Sequence, residues 1–174
     1  MYYVVHVSTG KEDSLIKLIN ERVSHEFFSE VFAPKRISGR KINGQWVDKI
    51  INVFPGYIFV DTDNPKEFSG ALYRMPQYAR LLGREESSGS FLPLNNDECI
   101  MIDSLCGKDV NRLLDKSEIN VRVGKTVDII SGPLLGFKGN IKKIDLHKKI
   151  AIVELEIVNR LIEIYMPIEI LREE

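Results

Sequence analysis

The segment VGKTVDIISGPLLGFKGNIKKID, from Val123 to Asp145, is the most distinctive stretch of the 174-residue chain. Its glycines at 132, 136 and 139 suit tight turns, because glycine adopts positive φ angles without steric cost. No GK[ST] sequence follows these glycines and no helix is predicted to begin there, so the pattern disfavours a phosphate-binding loop. Composition alone predicts a glycine-rich β-turn.

The residues around this segment predict a small all-β unit. Val153, Leu155 and Ile157 alternate with Glu154 and Glu156, as in a strand with one buried and one solvated face. Short apolar segments separated by turns predict strands at 126–130, 138–145, 150–155 and 161–166. We therefore expect a small antiparallel β-barrel over residues 120–174, preceded by a polar linker at 107–119.

Residues 1–106 predict an α+β domain, with helices packed against a mostly antiparallel sheet. A strand at Tyr2–Val7 precedes Thr9-x-x-Glu12, which is typical of a capping box at the start of a helix. Asn64-Pro65-Lys66-Glu67 and Asn95-Asn96-Asp97-Glu98 predict two further helices, the first ending near Arg74. The remaining predicted elements are strands at 57–61 and 78–82 and a hairpin of 30–37 with 45–53 around a basic turn at 38–44.

Composition excludes several classes of protein. Cys99 and Cys106 have no further ligand pair in reach, which disfavours a zinc finger and a secreted disulfide scaffold. The three histidines lie far apart and no catalytic motif accompanies them, so we expect no enzyme activity, metal or cofactor. No apolar stretch of 18 residues occurs, which predicts a cytoplasmic protein without membrane contact.

The segment 123–145 resembles a KOW motif, and the whole chain resembles the NusG family of transcription elongation factors. The matches to that family's NGN domain are YYVV at 2–5, TGKE at 9–12 and FPGYIFV at 54–60. Among family members the chain is most similar to the specialised paralogues of the RfaH and LoaP types. The resemblance implies a monomeric factor that acts on selected operons as a processive antiterminator.

The resemblance also implies how the chain binds RNA polymerase. An apolar patch would contact the clamp helices, and the opposite edge would reach the other side of the clamp and the non-template DNA. For Phe59 the residues leave sheet core and interface equally open, whereas the adjacent Pro-Gly favours an interface for Phe54 and Tyr57. The patch residues are Tyr2, Phe54, Pro55, Tyr57 and Phe59, and those of the opposite edge are Lys66, Glu67, Phe68, Ser69 and Arg74.

The net charge of −1 gives no global attraction to nucleic acid, so any such contact needs a local patch. One basic cluster could hold a folded RNA through its phosphates or be a solvated hairpin, and the LoaP resemblance implies binding of a leader RNA hairpin. Phe137 beside it could stack on a base or fill the barrel. The cluster is Lys138, Lys142, Lys143, His147, Lys148 and Lys149; a second group, Lys35, Arg36, Arg40, Lys41 and Lys49, could contact upstream DNA or be solvated.

Two departures from the family bear on its protein partners. Members that recruit Rho or a small-subunit ribosomal protein present Phe after Gly-Pro and an Ile-Phe-Gly-Arg turn. At these two places the chain has Leu134 and Ile157-Val158-Asn159-Arg160, so it lacks two aromatic anchors. The alternatives to antitermination are a general NusG role that couples polymerase to Rho or the ribosome, and a structural RNA-binding protein of the ribosomal KOW type. The Ile/Val-rich strand pattern predicts a barrel that does not convert to helix.

Overall fold

The computed structural model describes residues 1–76, 78–106, 112–122 and 126–173. The chain divides into two compact units, of which the first contains Met1–Ala33, Phe54–Met101 and Ile157–Asn159, and the second the remaining segments. None of the described helices is long and apolar enough to cross a membrane. The elements are β1 (Tyr2–Val7), α1 (Glu12–Arg22), β2 (Glu30–Phe32), β3 (Lys35–Ile42), β4 (Gln45–Asn52), β5 (Tyr57–Asp61), α2 (Pro65–Tyr73), β6 (Ala79–Leu81), α3 (Asn96–Leu105), β7 (Ser117–Arg122), β8 (Thr126–Ser131), a 3₁₀ segment (Pro133–Asn140), β9 (Ile141–Asp145), β10 (Ile150–Ile157) and β11 (Arg160–Glu173).

The first unit is built on a four-stranded sheet of order β2-β5-β1-β6. β1 pairs antiparallel with both neighbours, so that Val4 lies opposite Phe59 and Val5 opposite Leu81. Tyr3, Val5 and residues of β5 pack with apolar side chains of α1 and α2 in one buried cluster. The predicted α+β class is confirmed by this arrangement of helices on a sheet.

The Thr9–Glu12 capping box is wrong. Helix α1 begins at Glu12 with Lys11 in the cap position, and no side chain caps it. Glu12 is buried, 2% exposed, and its Oε1 accepts a hydrogen bond of 2.6 Å from the backbone N–H of Gly56. Gly56 has a φ of 85°, and a Cβ there would lie 3.2 Å from Thr9 Oγ1. The Glu12 contact therefore fixes the start of α1 against the loop before β5.

The predicted hairpin exists with different limits. β3 and β4 pair antiparallel from Lys35 opposite Asn52 to Ile42 opposite Gln45, and only Asn43 and Gly44 form the turn. Both have positive φ angles, 50° and 82°, as a two-residue type I′ turn requires. The predicted turn at 38–44 is therefore too long, because the strand continues through Gly39. The residues 30–32 form a separate strand, β2, which pairs with β5.

The two later helices begin where the sequence predicts. Helix α2 has Pro65 in its first turn after Asn64, whose amide donates to the carbonyl oxygen of Glu26 rather than capping the helix. Before α3, the N–H of Glu98 donates to Asn95 Oδ1 at 2.9 Å, and the N–H of Asn95 donates to Glu98 Oε2 at 2.8 Å. This reciprocal pair is a capping box, so the start of α3 is fixed by local side chains.

The second unit contains a curled five-stranded sheet of order β8-β7-β11-β10-β9 in the described residues. β7 pairs antiparallel with β8 but parallel with β11, so the sheet is mixed and not purely antiparallel as expected. The strand predicted from 138 begins at Ile141, because Pro133–Asn140 forms 3₁₀ turns. Within the predicted linker, residues 107–111 lie outside the described residues and Ser117–Ile119 belong to β7. The predicted division into domains at 1–106 and 120–174 therefore remains a prediction.

A glycine allows two segments of this unit to approach closely. Gly132 has a φ of 90°, and a Cβ there would lie 2.6 Å from Ser117 Cα and 2.7 Å from the carbonyl oxygen of Lys116. The hydroxyl oxygen of buried Ser117 accepts a 2.9 Å hydrogen bond from the N–H of Leu134, which is itself fully buried. The start of β7 is therefore held directly against the turn after β8.

The substitution Gly132→Ala should destabilise the second unit, since it combines an unfavourable φ with a clash against backbone atoms. The backbone conformation alone should cost roughly 1–3 kcal/mol. Gly136→Ala is the matched control, because no heavy atom lies within 4 Å of a Cβ there and its φ is not positive. Urea unfolding of the full chain followed by circular dichroism would check this, and equal midpoints for the two variants would contradict it.

Candidate functional site

Two of the five residues of the predicted apolar patch, Phe54 and Phe59, are buried. The Phe54 and Phe59 rings meet edge to face with centroids 5.3 Å apart, and Phe59 stacks on Phe32 at 5.7 Å. Phe54 is 1% and Phe59 0% exposed. Phe59 therefore belongs to the core of the sheet, which is one of its two predicted alternatives. The sequence favours an interface for Phe54, but the side chain is buried in this structure. Tyr2 continues the aromatic row at 5.5 Å from Phe32 and is half-buried.

Two residues of the same loop remain accessible. Pro55 is exposed and Tyr57 is half-buried, with its ring 5.4 Å from that of His6. Backbone hydrogen bonds join Val7 N–H to the carbonyl oxygen of Gly56 and Tyr57 N–H to that of Phe54. Together with the Glu12 contact, these bonds fix the position from which Pro55 and Tyr57 face solvent.

The opposite edge of the unit also divides into buried and exposed residues. Phe68 is fully buried and its ring lies 5.8 Å from that of Phe28, and Ser69 is buried beside it. Neither can contact a partner directly in this structure, which corrects their assignment to a binding surface. Lys66, Glu67 and Arg74 are exposed, as the prediction requires.

Sequence reasoning missed three accessible residues next to Arg74. Tyr73 is 74% and Tyr78 69% exposed, and both line a shallow cavity of about 360 Å³ together with Arg80. Aromatic rings interleaved with guanidinium groups can stack on unpaired bases and attract phosphates. The spacing Tyr73-Arg74 followed by Tyr78 and Arg80 carried this signal, although Gln77 between them lies outside the described residues.

The basic cluster of the second unit lies on and around the β9–β10 hairpin, as predicted. His147, Lys148 and Lys149 are exposed at the tip, whereas Lys143 is exposed on β9 and Lys138 on the 3₁₀ segment. Asp145 Oδ1 accepts a 2.9 Å hydrogen bond from the N–H of Lys148. That bond, followed by the charges of the neighbouring lysines and His147, lowers the pKa of Asp145. The tip is therefore an electropositive loop of defined conformation.

Lys142 differs from the other members of this cluster. Its Nζ lies 2.6 Å from Glu163 Oε1 and 2.9 Å from Glu154 Oε2. These hydrogen bonds, the one to Glu163 first, raise the pKa of Lys142. Two carboxylates compensate its charge, so the structure gives Lys142 a role in the sheet surface rather than a free ammonium group for a phosphate. Phe137 is buried, so it fills the core of the sheet and is not available to stack on a base.

The second basic group does not form one exposed surface. Arg36 is buried with its guanidinium 5.6 Å from the centre of the Tyr165 ring, and burial lowers the pKa of this arginine. The Lys35 ammonium group donates to Asn52 Oδ1, whereas Lys49 is exposed. The side chains of Arg40 and Lys41 lie outside the described residues. Arg36 is thus a packing residue and not a contact to DNA.

The part of the chain that the structure describes offers no candidate metal site. No group of three or more His, Cys, Asp or Glu residues lies close enough there to hold a metal ion. Cys99 and Cys106 are not joined in a disulfide, and the thiol of Cys99 donates to the carbonyl oxygen of Leu94.

Comparisons with known proteins agree with the motifs. The family model described as "Transcription termination factor nusG" matches residues 1–103, and the KOW motif matches residues 123–156. The Bacillus subtilis (strain 168) transcription termination/antitermination protein NusG is 27% identical over 153 residues, covering 84% of this chain and 83% of that protein. The protein of the same name from Neisseria meningitidis serogroup B is 20% identical over 163 residues, covering 91% and 89%.

A solved structure described as "Domain interaction in Thermotoga maritima NusG" has the same fold, with a TM-score of 0.56 and 22% identity. The alignment covers 95% of this chain and 92% of that one. Since one family model spans residues 1–103 of the 174 and the KOW motif follows in the expected order, the chain belongs to the NusG family of transcription factors.

Proposed function

We propose that the chain is a specialised elongation and processive antitermination factor. It binds the clamp of RNA polymerase through its NGN domain and a leader RNA hairpin through its KOW domain. The observation that carries the RNA part is the β9–β10 tip, where Lys148 and Lys149 are exposed and form no ion pair with a described carboxylate, beside the fully compensated Lys142. The factor works as a monomer in the cytoplasm.

The polymerase contact centres on the exposed rim of the predicted patch. Tyr57 and Pro55 stand on a loop that backbone hydrogen bonds and Glu12 hold in place, so little conformational entropy is lost when they are buried by a partner. Tyrosine is also among the residues that most often dominate interface energetics. Phe54 and Phe59 support this rim from inside the unit.

The RNA contact rests on charge and on shape. The tip projects the side chains of residues 147–149 from a tight loop, in which Lys149 adopts a φ of 53° and its N–H donates to the carbonyl oxygen of Leu146. Clustered ammonium groups bind phosphates by releasing counterions, and a folded RNA presents phosphates at the matching density. Resemblance to the LoaP type supports a hairpin as the folded RNA.

The mechanism follows from two linked contacts. An NGN domain that binds the closed clamp better than the open one shifts polymerase away from the paused state. A KOW domain that holds leader RNA raises the local concentration of the factor at the polymerase that made this RNA. Contact with upstream or non-template DNA is proposed for the exposed Arg74, to which Tyr73, Tyr78 and Arg80 are neighbours.

The alternatives have less support. Leu134, which stands where Rho- or ribosome-coupled relatives have an aromatic residue, is fully buried, so it offers no anchor to such a partner. The family match over residues 1–103 favours a polymerase factor over a structural RNA-binding protein of the ribosomal KOW type.

The variant Tyr57→Ala should lose most of its association with RNA polymerase in a pull-down, because it removes the central accessible anchor. Ile100→Ala is the control, since Ile100 is an apolar, 67% exposed side chain elsewhere in the same unit. Phe54→Ala is unsuitable for this test, because truncating a buried phenylalanine costs about 3–5 kcal/mol of stability. Undiminished binding of a folded Tyr57→Ala protein would contradict the patch.

The RNA contact can be measured with the full chain and the leader hairpin of the neighbouring operon, over a salt series and against a scrambled hairpin. Replacing Lys143, Lys148 and Lys149 by Ala should weaken selective binding and lower the slope of log affinity against log salt by about three. Lys17→Ala, on α1, should leave the slope unchanged, and Lys142→Ala should lower it least among the cluster. Equal binding of both RNAs by the wild type would instead favour a general elongation factor.

A further inference from the structure

We propose that a cleft in the second unit, between the β3–β4 hairpin and the tip of the β9–β10 hairpin, binds a backbone phosphate of the RNA. This inference rests on the proposed RNA binding and adds to it a residue outside the basic cluster, Lys116. It also brings the β3–β4 hairpin, which the sequence assigned only to DNA or solvent, into the RNA site.

The cleft brings together residues that are far apart in sequence. Ser38, Gly39 and Asp48 line it from the hairpin, Lys148 and Lys149 from the tip, and Lys116 from the segment before β7. Its volume is about 170 Å³. Sites for cofactors and drug-sized ligands begin at about 300 Å³, so this cleft suits a group of a few atoms.

The charge of the lining favours an anion. Three of its residues are lysines and one is an aspartate. Among the described residues, no carboxylate forms an ion pair with Lys116, Lys148 or Lys149, in contrast to the doubly paired Lys142. Three ammonium-bearing residues around a small concave space concentrate positive potential there, which scattered surface lysines do not.

The walls of the cleft are joined by backbone hydrogen bonds. Leu114 N–H donates to the carbonyl oxygen of Lys35 at 2.6 Å and Lys35 N–H to that of Arg112 at 2.9 Å, which ties the segment before Lys116 to the base of β3. The carbonyl oxygen of Lys149 accepts a 3.0 Å bond from Ile168 N–H, which ties the tip to β11. Such a preformed site loses little entropy on binding.

The lining chemistry points to RNA. A phosphate can accept hydrogen bonds from the lysines and from the Ser38 hydroxyl, which line the same cleft. The Asp48 carboxylate can accept a hydrogen bond from a ribose 2′-hydroxyl next to that phosphate, a group that DNA lacks. The phosphate of one nucleotide would therefore contact the positive groups of the lining, and its ribose would contact the negative one.

Acetylation footprinting of the unmodified full chain tests the site. Lysines are acetylated with and without the leader RNA hairpin, and mass spectrometry measures the protection of each. We expect Lys116, Lys148 and Lys149 to be protected together, with Lys17 as the internal control that stays reactive. Neither an equal concentration of inorganic phosphate nor a DNA hairpin of the same sequence should protect them equally; equal protection by either would overturn the assignment to RNA.

A substitution gives the second measurement. Lys116→Ala should weaken binding of the hairpin several-fold and lower the salt slope by about one, while Asp48→Asn should reduce the preference for RNA over DNA. Lys116 is exposed, so its loss should not prevent folding. If the tip lysines are protected but Lys116 is neither protected nor needed, the cleft is wrong and the proposed function stands. If the wild type does not bind the hairpin at all, both fail.

Discussion

The first unit depends on the burial of β1 and β5 from both faces. Val5 and Tyr3 pack towards α1 and α2, while Val4 and its cross-strand partner Phe59 are buried on the other side. A sheet of this kind must be covered twice, because an uncovered apolar face would remain in water. The aromatic residues around the start of β5 therefore mainly stabilise the unit. Only the side chains that stay exposed are available to a partner.

The need to bury both faces of the sheet explains why a family motif does not by itself identify the residues that contact a partner. The FPGY segment contains Phe54, which is interior, and Pro55 and Tyr57, which reach solvent. Gly56 links the two roles, because its N–H binds buried Glu12 and its φ of 85° turns the chain. The loop is thus a rigid support with a small accessible rim, and the rim is the part for which we propose the polymerase contact.

Local signals in the sequence predicted local structure well, including β1, the starts of α2 and α3, and the β9–β10 hairpin. Features that depend on distant partners could not be predicted. Glu12 is indistinguishable from a capping residue until Gly56 is placed beside it. The first residues of β7, Ser117–Ile119, fall within the predicted linker, because this stretch follows a polar segment and the pairing of β7 with β11 is parallel and remote in sequence. The cleft beside Lys116 is lined by segments from widely separated parts of the chain.

Distant partners also determine which lysines are available for the proposed RNA contact. On the sheet surface, Glu154 and Glu163 lie on strands beyond β9 and neutralise Lys142, although sequence places it in one run with Lys143. At the tip no described carboxylate forms an ion pair with Lys148 or Lys149, and Asp145 accepts a hydrogen bond from the backbone N–H of Lys148. In a chain with a net charge of −1, uncompensated charge at one loop gives both attraction and orientation. Compensation of Lys142 therefore removes one lysine from the proposed RNA contact, and the exposed lysines of the cluster and the cleft supply the positive potential.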